Sequence, residues 1–207
     1  MCIRHSGLPI IRAVHRETRL HKNPLLPAVL VLLLAACATA PPAPVQDKLD
    51  SKTGSTVSVL PDPVTLLTSG YLGARTGAFA YLGPFEVDEM GQRTLYLWVW
   101  VPKDVSETVV PVIQCDGNLV DLPLQKGSLA DLGLAEPPYE PPDPWGTQWY
   151  FALTDSALIG LVNAKVIALE IPDAKGALLH FQVESAKNTT GFPAMQAYAE
   201  RRGTKGL

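Results

Sequence analysis

The stretch Leu95-Tyr96-Leu97-Trp98-Val99-Trp100-Val101 limits the fold more than any other part of the chain. Strict period-two alternation puts Leu95, Leu97, Val99 and Val101 on one face of a strand and Tyr96, Trp98 and Trp100 on the other. Both faces carry large apolar side chains. Such a strand is either central and covered on both sides, or it offers its aromatic side to a ligand.

The chain around it is punctuated in the manner of a β protein. Short apolar runs bounded by Gly, Pro and Asp mark strands at 64–68, 77–82, 94–101, 109–115, 118–123, 147–153, 166–171 and 178–184. Asp116-Gly117 sits between two of these runs and suits a two-residue hairpin, because glycine accepts positive φ. Pairing across it sets Cys115 beside Asn118, Ile113 beside Val120 and Pro111 beside Leu122, with Cys115 pointing inward. Thr154 or Asp155 can cap a short helix to about Asn163, burying Leu158, Leu161 and Val162. A second helix runs from Thr190-Gly191-Phe192-Pro193 to about Arg202, with Phe192, Met195, Ala199 and Tyr198 inward and Gly203 as its stop. The fold class expected is mainly β: a two-layer antiparallel sandwich with one short helix between strands and a C-terminal helix.

Two segments break the pattern. Residues 137–144 hold five prolines, which forbids a helix or an internal ladder and predicts an ordered, polyproline-like loop carrying Tyr139 and, just beyond, Trp145. Ala38 to Pro61 is proline-rich and then polar with little to bury, and reads as a flexible tether reaching about 25 to 30 Å.

At the other end of the chain, a basic leader precedes 12 apolar residues, Leu25 to Ala36. That run is too short to span ~30 Å of hydrocarbon as a helix and fits the core of a secretory signal. It closes on Leu34-Ala35-Ala36-Cys37. Ala35 and Ala36 are small enough to enter a peptidase cleft, Leu34 is an apolar anchor, and Cys37 supplies a sulfur to alkylate. These four residues resemble the lipobox of bacterial lipoprotein precursors. The resemblance implies cleavage before Cys37, lipid attachment at Cys37, and attachment to a membrane; Ala38, in place of the aspartate that favours inner-membrane retention, implies an outer-membrane address facing the periplasm. The alternative is a plain cleaved signal with an A-x-A site. The expected organisation is signal peptide 1–36, lipidated cysteine and tether 37–61, and one β-rich domain 62–203.

Composition restricts function. From Cys37 onward the chain carries 12 Lys and Arg against 19 Asp and Glu, a net charge of −7. An acidic surface without a basic stripe argues against nucleic acid. With Cys37 acylated and Cys2 removed, Cys115 has no partner, so packing must hold the domain.

No catalytic pattern emerges. His180 is the one histidine beyond Cys37 and falls on the polar face of its strand, so neither a zinc cluster nor a Cys115–His180 dyad is expected. The acids Asp116, Asp121, Asp131, Glu136, Glu140 and Asp143 match no calcium loop. Ser106, Ser128 and Ser156 lack a nucleophile-elbow context. The expectation is no catalytic residue, no metal and no cofactor. Tyr96, Trp98, Trp100, Tyr139 and Trp145 remain as the tentative binding set, a platform for a glycan or peptide, with core packing as the favoured alternative. The function expected is a non-catalytic binding or scaffolding module for an envelope protein or cell-wall glycan. An envelope hydrolase using Asp116 or Asp121, or a purely structural envelope protein, are the other readings.

Overall fold

The computed structural model describes residues 45–68, 79–102, 105, 109–125 and 128–203. These lie in one compact unit, Pro41–Leu207. Leu34, Ala35, Ala36 and Cys37 lie outside the described residues.

The fold is mainly β and antiparallel, as expected. Strands β1 (Gln46–Leu49) and β2 (Thr56–Val59) form a hairpin, and β2 lies end to end with β3 (Val64–Thr68) along one edge of the long strand β4 (Phe79–Glu89). Thr56–Val59 face Asp88–Phe85, and Val64–Leu67 face Leu82–Phe79. Leu60 to Pro63 thus bulge out opposite only Gly83 and Pro84. A proline is tolerated mid-strand where the ladder is already interrupted.

The other edge of β4 pairs along its length with β5 (Gln92–Val101), and β5 pairs with β8 (Thr147–Ala152). In the opposite direction β3 pairs with β10 (Leu178–Glu184), β10 with β9 (Val166–Pro172), and β9 with β6 (Val112–Cys115). Strand β7 (Asn118–Leu119) hairpins back on β6. The chain then continues to β8, where the Gln125 N–H donates to the Tyr150 carbonyl at 2.8 Å and the Ala152 N–H donates to the Pro123 carbonyl at 2.9 Å. One sheet therefore curls until its two ends meet, and the layers that face each other across the core belong to that single sheet. Leu66, Leu82, Val99, Phe151, Leu169 and Phe181 fill the inside, fully buried. Each such side chain stabilises the fold by about 1.5 to 3 kcal/mol relative to exposure.

Helix α1 (Asp155–Asn163) starts as expected: the Thr154 hydroxyl accepts from the Ala157 N–H at 3.1 Å, and Leu158, Leu161 and Val162 are buried. Helix α2 (Gly191–Arg201) buries Phe192, Met195, Tyr198 and Ala199. The Asn188 side chain accepts from the Gly191 N–H at 2.6 Å at its start.

The expected tether boundary at 61 does not hold. Val57, Val59 and Leu60 are buried, Val45 packs half-buried against the core, and β1 is laddered to β2 over all four of its residues. β1 has no buried face, so its sequence shows none of the alternation that marks a strand.

Candidate functional site

β5 brings Tyr96, Trp98 and Trp100 to the outer face of the sheet, and the proline-rich loop returns to lie over them. Trp98 is 0% exposed and stacks on Tyr139 with ring centroids 5.1 Å apart. Its indole N–H donates to Gln148 Oε1 at 2.8 Å. The Tyr139 hydroxyl sits in the gap that the β2–β3 bulge leaves in the ladder: it donates to the Pro84 carbonyl at 2.5 Å and accepts from the Leu60 N–H at 3.1 Å. A side-chain oxygen thus takes over pairing that the strands cannot provide there. Burial of the phenol raises its pKa.

Two glycines make the close approach possible. A Cβ on Gly83 would lie 2.5 Å from Tyr139 Cζ, and one on Gly146 would lie 2.1 Å from the Trp100 ring. Trp100 is 5% exposed, stands edge-on to Tyr81 at 5.6 Å, and its buried Nε1 has no hydrogen-bond partner among the described residues. Tyr96 is half-buried, stacked on Phe85 at 5.3 Å.

The five tentative binding residues therefore separate. Trp98, Trp100 and Tyr139 form a second packed layer between sheet and loop rather than an open platform, Tyr96 borders it, and Trp145 is 68% exposed. The physical reason is the loop: its prolines keep it extended, so its apolar residues lie flat over the aromatic strand.

The other candidates are placed as follows. Cys115 pairs with Ile167, whereas His180 pairs with Glu170, whose register partner on β6 is Val112. Alternation across the sheet then puts Cys115 and His180 on opposite faces. Burial, with Asp116 beside it, pushes the Cys115 thiol up to about 11. His180 Nδ1 lies 3.1 Å from Glu170 Oε1 on the outer face. Asp116 is committed to the backbone: its carboxylate accepts from the N–H groups of Lys165 and Val166 at 3.0 and 2.9 Å. Asp131 accepts from the Ser128 N–H at 2.6 Å and caps a short 3-10 turn. Among the described residues no three His, Cys, Asp or Glu side chains form a group able to hold a metal ion.

Two surface features escape sequence reading. The first is a polar cleft of about 210 Å³ where the end of α2 meets β1, β2, β4 and β5. Glu86, 7% exposed, pairs there with Arg202, which also reaches Asp155 at 3.0 Å. Burial lowers the Arg202 pKa. Arg201 donates to Asp47 at 2.6 Å, and Arg93 to Asp88 at 3.2 Å. Every arginine of the cleft is matched by a carboxylate.

The second is an apolar groove of about 330 Å³ at the seam where the curled sheet closes, lined by Val110, Val112, Leu119, Leu122 and Phe151, with Asp121 at its rim. Val110, Val112 and Leu119 are exposed. Pro111, itself buried, lies where β6 would continue its ladder, so the strand stops there, with Val110 and Val112 on either side of it exposed.

Comparison with known proteins gives no match. No protein-family model, curated protein or solved structure matches this chain.

Proposed function

We propose that the chain is an outer-membrane-anchored periplasmic lipoprotein whose domain is a non-catalytic binding or scaffolding module for an envelope protein. Leu34-Ala35-Ala36-Cys37 supports the address, since the cysteine falls where the apolar run ends. The seam groove is the observation that carries the binding reading: contiguous exposed apolar side chains rimmed by polar ones mark interaction sites. A protein partner is favoured over a glycan because sugars stack on open aromatic faces, and here Trp98 and Trp100 lie under the loop. A hydrolase gains no support from Asp116, whose oxygens already accept two backbone N–H groups.

Metabolic labelling with a fatty acid tests the address. Wild type is expected to label and Cys37→Ala to lose the label; equal labelling would overturn the anchor. Photo-crosslinking from Val112 and Leu119 in intact cells is expected to give a discrete protein adduct that is missing from a probe at Asn163. Equal yields at all three positions would count against the groove.

A further inference from the structure

We propose that the polar cleft under the end of α2 is a second binding site whose ligand is a monocarboxylate, either the free carboxyl end of a peptide or a small carboxylic acid. The inference goes beyond the function proposed above and rests on neither the anchor nor the seam groove.

Four strands and a helix end build the site. Register sets Asp47, Ser58 and Glu86 side by side across β1, β2 and β4, and Thr56, Asp88 and Arg93 side by side across β2, β4 and β5. Alternation puts both rows on the face of β4 that carries Leu82, the face turned to the core. α2 closes over that face. The Tyr198 hydroxyl donates to the Ser58 carbonyl at 3.4 Å, and Arg202 pairs with the buried Glu86 and with Asp155. These contacts pin the helix end to the sheet, so that Arg201 lines the same cleft as Arg93.

Spare hydrogen-bonding capacity identifies the ligand. Every carboxylate oxygen lining the cleft already faces a donor. Asp47 accepts from Ser58 and Arg201, both at 2.6 Å, and Asp88 accepts from the Gly91 N–H at 2.7 Å and from Arg93 at 3.2 Å. Glu86 faces Arg202 with one oxygen and Arg93, 3.8 Å away, with the other. The guanidinium groups are not filled in the same way, because each carries five N–H donors. Arg93 commits only Nε and Arg201 only Nη2, so both terminal nitrogens of Arg93, and Nε and Nη1 of Arg201, have no hydrogen-bond acceptor among the described residues. The two side chains are 66% and 50% exposed, which leaves these donors open to a solute. Both cations act on Asp47, whose carboxyl is held below its ordinary value by the bond from Arg201 first, with the Arg93 charge adding to it. What the cleft lacks is an acceptor.

Charge and size narrow the class. Asp47, Glu86 and Asp88 balance Arg93, Arg201 and Arg202, and the chain from Cys37 onward carries −7, so no net positive field draws in a polyanion. A single carboxylate needs none, since its two oxygens match the fork of a guanidinium at contact distance. At about 210 Å³ the cleft is smaller than the ~300 to 1,000 Å³ pockets that hold drug-sized ligands, and suits a chain end or a molecule of amino-acid size.

Titration of the ¹⁵N-labelled full-length protein, followed through its arginine Nε–H resonances, tests the proposal. N-acetyl-Ala-Ala is expected to shift the Arg93 and Arg201 signals and to saturate at about 1 to 10 mM, weak because the donors are exposed. Its C-terminal amide should leave both signals in place. Arg93→Gln and Arg201→Gln should each weaken binding about fivefold or more, and Arg93→Lys, which keeps the charge without the fork, about threefold. Lys175→Gln, outside the cleft, should bind as wild type, and the tryptophan indole signals verify the fold of every variant. N-acetylglycine binding at least as tightly as N-acetyl-Ala-Ala assigns the site to a small acid, and tighter binding of the peptide assigns it to a chain end. Equal binding of the amide, inorganic phosphate binding as tightly as the peptide acid, wild-type affinity in both glutamine variants, or no saturation by about 50 mM would each overturn the proposal.

Discussion

Adding one methyl group at Gly83 should unseat the proline-rich loop. Gly83 lies opposite Trp98 in the β4–β5 ladder, directly beneath the Tyr139 ring. An alanine Cβ there would be 2.5, 2.6 and 2.9 Å from Tyr139 Cζ, Cε2 and Oη. Ordinary contact begins near 3.5 Å, so the ring has to withdraw by about 1 Å. That shift stretches the 2.5 Å bond to the Pro84 carbonyl and the 3.1 Å bond from Leu60 beyond useful length. Each is worth about 1 kcal/mol, the stack on Trp98 another ~0.5 to 1.5, and overpacking alone typically costs ~1 to 3. These terms overlap, so Gly83→Ala is expected to destabilise the domain by about 2 to 4 kcal/mol. In an ordinary strand the same change stabilises by about 0.5 to 1 kcal/mol, so the sign alone is informative. Urea unfolding followed by tryptophan fluorescence measures the change, and a double-mutant cycle locates its source. In a Tyr139→Leu background, Gly83→Ala should cost under about 0.5 kcal/mol, giving a coupling above about 1.5. A loss below 0.5 kcal/mol with Tyr139 present, or an equal loss in both backgrounds, would refute the reasoning.

Arg202→Met should cost about 2 to 3 kcal/mol because it leaves the buried Glu86 carboxylate with only Arg93, 3.8 Å away and largely exposed, and adding Glu86→Gln should recover at least half of that; equal stability of the single and double variants would contradict the pairing. Cys115, held near 11 by burial, should react with a disulfide reagent at pH 8 far more slowly than free cysteine, and fast stoichiometric reaction would exclude its half-buried placement. Its folded-state pKa lies above the unfolded value, so the stability it contributes is present below pH ~9 and is lost as pH rises toward 11; Cys115→Ala should lack that decline. Asp47 is held below its ordinary 3.8 by hydrogen bonds from Arg201 and then Ser58. Its contribution is therefore present above that value and is lost as pH falls, by less than about 1 kcal/mol given the exposure of the pair, and Asp47→Asn should flatten the acid limb of an unfolding titration.

Much of the strand framework is legible because it is local. Asp116-Gly117 takes φ of 51° and 79°, the two left-handed residues a tight hairpin requires, and pairs Cys115 with Asn118 as the turn chemistry dictates. The helix start at Thr154 or Asp155 is legible for the same reason, and Thr154 is the residue that caps it. β4 is harder, since Gly83-Pro84 looks like a break until the bulge of Leu60 to Pro63 is seen to remove the need for a ladder bond there. β1 is invisible because all four of its residues face solvent, although the Thr56-Val57-Ser58-Val59 alternation beside it carries a signal that the surrounding polar composition obscures. The state of the aromatic face depends on a loop some forty residues downstream in sequence folding back over it, which no local pattern records. Gly83 and Gly146 are its trace in the sequence, positions where any side chain would strike a ring. The seam groove and the Glu86–Arg202 pair likewise exist only once distant segments meet.

The hydroxyl that fills the ladder gap also gives the domain a mechanical weak point at a defined place. A pull on the chain ahead of Val45 loads the Gln46↔Val59 end of β1 first, and an antiparallel ladder pulled from its end opens one rung at a time rather than all at once. The residue after Val59 is Leu60, whose N–H is held by Tyr139. The first rung to bear such tension therefore lies one residue from the loop's clasp. Tyr139 joins the end of β2 to the layer of rings kept from water, so a single oxygen atom links the edge strands to the stack over Trp98.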